Sequence, residues 1–113
     1  MEECIFCKIV AKNAEAEILS EDDLAIAFLD RHPAAPVHIL IVPKKHIGSM
    51  NDLVDEDTEL VGHLFQIAKN LAKQFDVAEN GYRLVINTGR DARQSVPHLH
   101  VHLIAGKGIP SIL

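Results

Sequence analysis

HLHVHLI, His98 to Ile104, alternates three histidines with aliphatic residues, and its reading decides what kind of sheet this chain builds. In a β-strand, successive side chains point to opposite faces. His98, His100 and His102 therefore share one face, while Leu99, Val101 and Leu103 pack on the other. Neighbouring histidines stand roughly 6.6 Å apart, two strand rises. Such a row is a metal site, a catalytic surface or a histidine-rich solvent face.

Working outward, the row follows a polar loop, GRDARQSV, and before that an apolar stretch, YRLVINTG, entered through the turn Asn80–Gly81. Further upstream, DEDTELVGHLFQIAKNLAKQF repeats Leu60, Leu64, Ile67, Leu71 and Phe75 at helical spacing, and Val61, Ala68 and Ala72 widen the stripe. Acidic residues begin this segment and lysines come later, as the helix dipole favours. VHILIVPK, Val37 to Lys44, is an apolar run bounded by prolines and reads as a buried strand. LAIAFLD, Leu24 to Asp30, is a second strand, broken from the first by RHPAAP. AEILSEDD ends in an acidic turn, and CIFCKIVAK reads as a short helix with Ile5, Ile9 and Phe6 inward. The order α-β-β-β-α-β-β, with short turns, predicts an α+β antiparallel sheet backed by helices.

At 113 residues with 48% hydrophobic content, the chain suits one domain with a real core. It has no tryptophan, one tyrosine and a formal charge of −5. That argues against a nucleic acid polymer as partner, since neither stacking platforms nor a basic surface is present. A single nucleotide stays compatible, because backbone N–H groups and histidines hold a phosphate without net positive charge. No apolar run reaches the roughly 18 residues of a membrane span, and MEECIFCKIVAK lacks a signal-peptide core. A cytoplasmic protein with no membrane partner is expected, and its two cysteines are then thiols or metal ligands rather than a disulfide.

The chemistry of the row separates the readings. Two imidazoles of a His-x-His pair can share a zinc ion, but the outer two histidines lie roughly 13 Å apart at Cα. Neutral imidazole is a good nucleophile toward phosphorus near pH 7. One histidine would attack, while its neighbours donate to phosphoryl oxygens and help protonate the leaving group. The adjoining loop supplies Gln94, Ser95 and free backbone N–H groups. Cys4-x-x-Cys7 offers two of the four ligands of a structural zinc site.

HLHVHLI resembles the His-φ-His-φ-His-φ-φ signature of the histidine triad (HIT) superfamily, where φ is hydrophobic. IFCKI, AFLD, PAAPVHILIVPKKHI, GYRLVINTG and QSVPHLHVHLI follow in the order of its Hint-like, nucleotide-binding branch. The resemblance implies one HIT domain over residues 1–113. Its α+β fold would have an antiparallel sheet, a short N-terminal helix and one long helix. A homodimer would join through the long helix and a central strand into an extended sheet. It implies a purine nucleoside phosphoramidase that releases AMP or GMP from an amine through a nucleotidyl-histidine, with no cofactor required for catalysis.

Residue by residue, the resemblance makes His100 the nucleophile, has His102 contact the phosphate and leaving group, and has His98 orient the site. Ser95 and Gln94 match positions that touch the α-phosphate and leaving group, and Asn87 matches a polar neighbour of the phosphate. Asp30 matches the carboxylate that accepts from the ribose hydroxyls. Phe6, Ile9, Phe28 and Val96 would flank the purine. Read without the resemblance, Asn87 is a turn residue, Asp30 a cap, and the phenylalanines core. The loop departs from the usual glycine-rich form at Asp91-Ala92-Arg93, so Arg93, and Arg31 beside the ribose carboxylate, bear on substrate preference. Cys4, Cys7, His46 and His98 match a structural zinc site of bacterial-type relatives; the alternative is two buried thiols. His32, His38 and His63 are expected to be ordinary loop, strand and helix residues. The rival functions are a dinucleoside polyphosphate hydrolase, favoured by Arg90 and Arg93, and a nucleotide-binding or interaction module with vestigial hydrolysis.

Overall fold

Buried aliphatic runs and one amphipathic stripe generate the architecture. The computed structural model describes residues 4–111. The elements are α1 (Ile5–Val10), β1 (Ile18–Glu21), β2 (Ala25–Leu29), β3 (Val37–Pro43), α2 (Thr58–Gln74), β4 (Tyr82–Val85) and β5 (Val101–Ala105). The strands form one antiparallel sheet in the order β1-β2-β3-β5-β4. The α+β class with a short first helix and a long second one is as the sequence predicts.

Strand alternation divides the molecule into two cores. Ala25, Ala27, Ile39, Ile41, Val101, Leu103 and Ala105 face α2, meeting its Leu64, Ile67, Ala68, Leu71 and Ala72. Ile26, Phe28, Leu40 and Val42 face the other way and pack under Cys4, Phe6 and Ile9 of the N-terminal segment. The predicted helical stripe is thus the buried face of α2, with Leu60 and Phe75 half-buried at its ends. A turn of 3₁₀ helix, Asp55–Asp57, leads into it. Asp57 is buried there, accepts from the Val54 N–H and pairs with Lys45 at 2.6 Å. The start of α2 is thereby tied to the Lys44–His46 segment.

The last strand is shorter than the alternation predicts. It begins at Val101, and His98 to His100 run into it outside the ladder. Pro97 has no N–H, and the Leu99 N–H donates to the Ile47 carbonyl at 2.6 Å rather than to a neighbouring strand. β4 likewise ends at Val85, leaving Asn87 beyond the ladder. Gly106 follows β5 at φ +112, where a Cβ would sit 2.7 Å from the Pro36 ring, so glycine is required. No helix among the described residues is long and apolar enough to cross a membrane.

Candidate active site

The histidine row lies on the α1 face of the sheet; backbone atoms fix the tautomers of His98, His100 and His38, and His38 fixes that of His102. His100 Nδ1–H donates to the His98 carbonyl at 2.7 Å, which leaves Nε2 with its lone pair. His98 Nε2–H donates to the Pro43 carbonyl at 2.8 Å, which leaves Nδ1 as the free acceptor. His38 Nδ1 accepts from the Ala34 N–H at 2.9 Å, so its Nε2 carries the hydrogen. That Nε2–H donates to His102 Nδ1 at 2.9 Å, and His102 in turn presents Nε2–H. His38 is therefore a fourth histidine of the site. It stands one diagonal place from His102 across the β3–β5 ladder.

Burial governs the charge of these rings. His98 and His100 are held below the ordinary imidazole range chiefly by loss of solvent, and His102 is pushed down to about 4 by burial and by facing His100 and His38. The Asp30 carboxylate works the opposite way on His100 and His102. Its Oδ2 stands 3.4 Å from His38 Nε2, and its Oδ1 accepts from the His32 N–H at 2.8 Å, which orients the group. At neutral pH, His100 Nε2 is thus an unprotonated, buried base.

His100 opens onto a cleft of about 940 Å³. Phe6, Ile9, Phe28, Leu40 and Val96 form apolar walls. Asp30, Arg31, Ser95, His100 and His102 supply the polar groups, with Lys12, Glu15, Glu17 and His32 also on its lining. Phe6 holds His100 edge-to-face at 5.1 Å between ring centres and contacts Phe28 at 5.6 Å. The structure brings together all of these predicted residues except Asn87, Arg93 and Gln94, which do not line the cleft.

Gln94, expected near the phosphate, is held here by three hydrogen bonds of its side-chain amide. Its Nε2 donates to the Gly48 carbonyl at 2.7 Å and the Val96 carbonyl at 3.0 Å, while its Oε1 accepts from the Gly89 N–H at 2.9 Å. The side-chain amide staples the polar loop to the segment after His46. Arg93 precedes it at φ +65, in the left-handed region that costs a non-glycine residue about 1 kcal/mol.

At the other end of the row, four ligand atoms converge. Cys4 Sγ lies 3.4 Å from His98 Nδ1, Cys7 Sγ 3.2 Å from His46 Nδ1 and 3.6 Å from His98 Nδ1, and the two Nδ1 atoms are 3.1 Å apart. All four lie within 4.8 Å of one another, a group suited to a metal ion. Burial and the adjacent Cys4 push the Cys7 thiol up, a penalty that a cation would remove. Asp30, His38 and His102 form a second close group. There, however, His38 Nε2 carries a hydrogen fixed by the Ala34 contact and donated to His102, so His38 offers no ligand atom.

This sheet with a triad of histidines beside an open cleft defines a histidine triad protein. The HIT domain profile matches residues 11–109, and the chain belongs to that family of hydrolases. It is 41% identical over 112 residues to the purine nucleoside phosphoramidase of Escherichia coli K12, covering 99% of this chain and 94% of the relative. An uncharacterized HIT-like protein of Synechococcus elongatus is 45% identical over 108 residues, covering 96% and 94%. A Clostridium difficile histidine triad protein superposes with TM-score 0.95 at 40% identity, covering 100% of this chain and 98% of that one. A Legionella pneumophila HIT family hydrolase gives 0.93 at 42% identity, covering 96% of both.

Proposed function

We propose that the chain hydrolyses purine nucleoside 5′-phosphoramidates, releasing AMP or GMP and an amine through a nucleotidyl-histidine at His100. The observation that carries this reading is His100 itself. It is a buried neutral imidazole whose Nδ1–H is committed to the His98 carbonyl and whose Nε2 opens onto the cleft.

The purine lies between Phe6, Ile9, Phe28 and Val96, and Asp30 accepts from the ribose hydroxyls beside Arg31. Ser95 and His102 donate to the α-phosphoryl oxygens. His100 Nε2 attacks phosphorus, and the P–N bond breaks with its electron pair on nitrogen. The departing nitrogen takes one proton from solvent while His102 Nε2–H, held in that tautomer by His38, hydrogen-bonds to it, so the free amine departs. Water then attacks the phosphohistidine, releasing the nucleotide and returning one proton. Asn87 flanks the phosphate, and Gln94 holds the loop that positions Ser95.

Cys4, Cys7, His46 and His98 would hold a structural zinc. Their spacing matches the edges of a tetrahedron built on Zn–S and Zn–N bonds, about 3.6 Å for S···N and 3.3 Å for N···N. Bound there, zinc supplies a cross-link between α1, the His46 segment and His98, and no step of the reaction passes through it. A homodimer is supported by the open edge of β4 and by Tyr82 and Phe65, each 37% exposed. We place this activity in the cytoplasm, acting on small nucleotides.

The test is turnover of adenosine 5′-phosphoramidate by the wild type and by His100→Ala, with phosphohistidine trapped at early times. The variant should lose at least about 10³-fold in rate. Normal turnover in His100→Ala would sink the mechanism. Tight AMP binding without turnover in the wild type would leave only a binding module. Zinc is read separately, by metal analysis of the wild type and of Cys4→Ser.

A further inference from the structure

The turn that delivers Ser95 to the cleft carries a cation that the reaction above does not use. Arg93 sits at φ +65. Its N–H donates to the Arg90 carbonyl at 2.9 Å, and the Gln94 N–H donates to Gly89 at 3.0 Å. The same backbone motif closes α1 at Lys12, where Asn13 N–H meets the Lys8 carbonyl, and there the Lys12 side chain is taken by Glu21. Arg90, earlier in the same turn, stands 3.4 Å from the Asp91 carboxylate. The Arg93 side chain is exposed, with no charged or hydrogen-bonding partner among the described residues. The Gln94 amide holds the turn on three sides, so this cation is presented by a fixed backbone rather than a loose loop.

Position gives the charge its meaning. Ser95 lines the cleft, and Arg93, two residues earlier, does not. In-line attack by His100 places the leaving half of the substrate on the side of phosphorus away from the imidazole, and Ser95 is the cleft residue nearest to Arg93 along the chain. We propose that Arg93 is a specificity residue for that leaving half, favouring groups that bear an anion, a carboxylate or a further phosphate, over neutral amines. The proposal rests on the cleft being the nucleotide site. A guanidinium suits either anion through its planar donors. On a chain of net charge −5, an unpaired cation at the mouth also offsets the general repulsion of such a substrate.

Calorimetry with AMP and α,β-methylene-ADP reads the effect without turnover. The wild type should bind the methylene diphosphate about 10-fold more tightly than AMP at low salt, with the ratio shrinking as salt rises. In Arg93→Gln the ratio should fall to about 2 or below, while Arg93→Lys retains part of it. Lys73→Gln, the same charge change at the far end of α2, should keep the wild-type ratio. A second pair, AMP joined through nitrogen to glutamate or to butylamine, gives the corresponding ratio of kcat/KM for a carboxylate. A fall in the phosphate pair alone identifies a polyphosphate leaving group, and a fall in the carboxylate pair alone identifies an acidic amine. Equal ratios in wild type and Arg93→Gln for both pairs would overturn the proposal. If neither phosphoramidate is hydrolysed by the wild type, the hydrolase reading fails while the binding ratios still decide the role of Arg93.

Discussion

The two ends of the histidine row begin with the same side chain and come to different chemistry. His98 points its free Nδ1 at two thiols and a second imidazole, in a closed group behind the N-terminal helix. His102 points its Nδ1 at His38 and faces an open cleft with Asp30 close by. Spacing along the chain is the same at both ends. What differs is the neighbour that fixes the tautomer: a strand-end carbonyl at His98, a protonated imidazole nitrogen at His102. A ring fixed by an acceptor keeps a lone pair for a metal, and a ring fixed by a donor keeps a hydrogen for a phosphate. His100, between them, inherits the first arrangement but opens into the cleft, which is what a nucleophile needs.

The largest expected effect breaks the thiol end. Cys7→Ser removes one of four ligands, and bound zinc should fall from one per chain to none by metal analysis. With free zinc at a thousand times its dissociation constant, the wild type gains about 4 kcal/mol from binding. The variant should therefore melt about 15 °C lower in the presence of zinc. Equal melting temperatures for the two proteins, with and without chelator, would mean that the group is a pair of thiols beside histidines and nothing more.

Acid should act on the cleft end through His102. Its ring has an ordinary value near 6.5 when unfolded and is held to about 4 when folded. Above pH 6.5 both states are neutral there and stability is full. Between 6.5 and 4 the unfolded chain takes up a proton that the folded chain refuses, so stability falls with falling pH; below 4 this ring contributes no further loss. The full gap is worth about 3 kcal/mol, reduced to about 2 by the partial exposure of the ring. Urea unfolding at pH 7 and pH 4.5 should show a smaller difference in His102→Asn than in the wild type. An unchanged difference would place the acid sensitivity elsewhere.

How much of this was legible follows the range of each contact. α2 was readable because its stripe is local: Leu64, Ile67 and Leu71 repeat within one helix and bury as the period requires. β3 was readable as an apolar run, and His100 as one member of a period-two row. His38 was not, because its role depends on a diagonal contact with a residue 64 positions later, and no local pattern distinguishes it from an ordinary strand histidine. The thiol group joins residues 94 apart, so its membership came from family resemblance rather than from spacing. The strand holding the row was overextended because alternation continues through His98 and Leu99 after the ladder has stopped, where Ile47 takes the Leu99 N–H.

His38→Gln sharpens the contrast further. A glutamine amide can still donate toward His102 Nδ1 but is less polarisable than an imidazole, so His102 Nε2–H becomes a weaker donor to the leaving nitrogen. Turnover of a poorly leaving alkylamine phosphoramidate should fall about 10-fold, some 1.4 kcal/mol, while a substrate with an acidic amine is slowed less. Equal slowing of both would make His38 a packing residue.

The smallest effect concerns the link between the two ends. The Gln94 amide joins the Ser95 loop to Gly48, two residues past the ligand candidate His46, and the neighbouring backbone contact from Leu99 to Ile47 runs alongside it. The loop that would hold the phosphate is thus anchored to the arm that would hold the metal. Gln94→Glu keeps the side chain's shape but removes both N–H donations, leaving the Gly48 and Val96 carbonyls facing a carboxylate. About 1 kcal/mol of stability should be lost. If anchoring is the role, the same variant should raise KM for adenosine 5′-phosphoramidate with little change in kcat, and zinc removal from the wild type should shift KM in the same direction. A loss confined to kcat would instead return Gln94 to direct contact with the reacting phosphate, and the two ends of the row would then be independent.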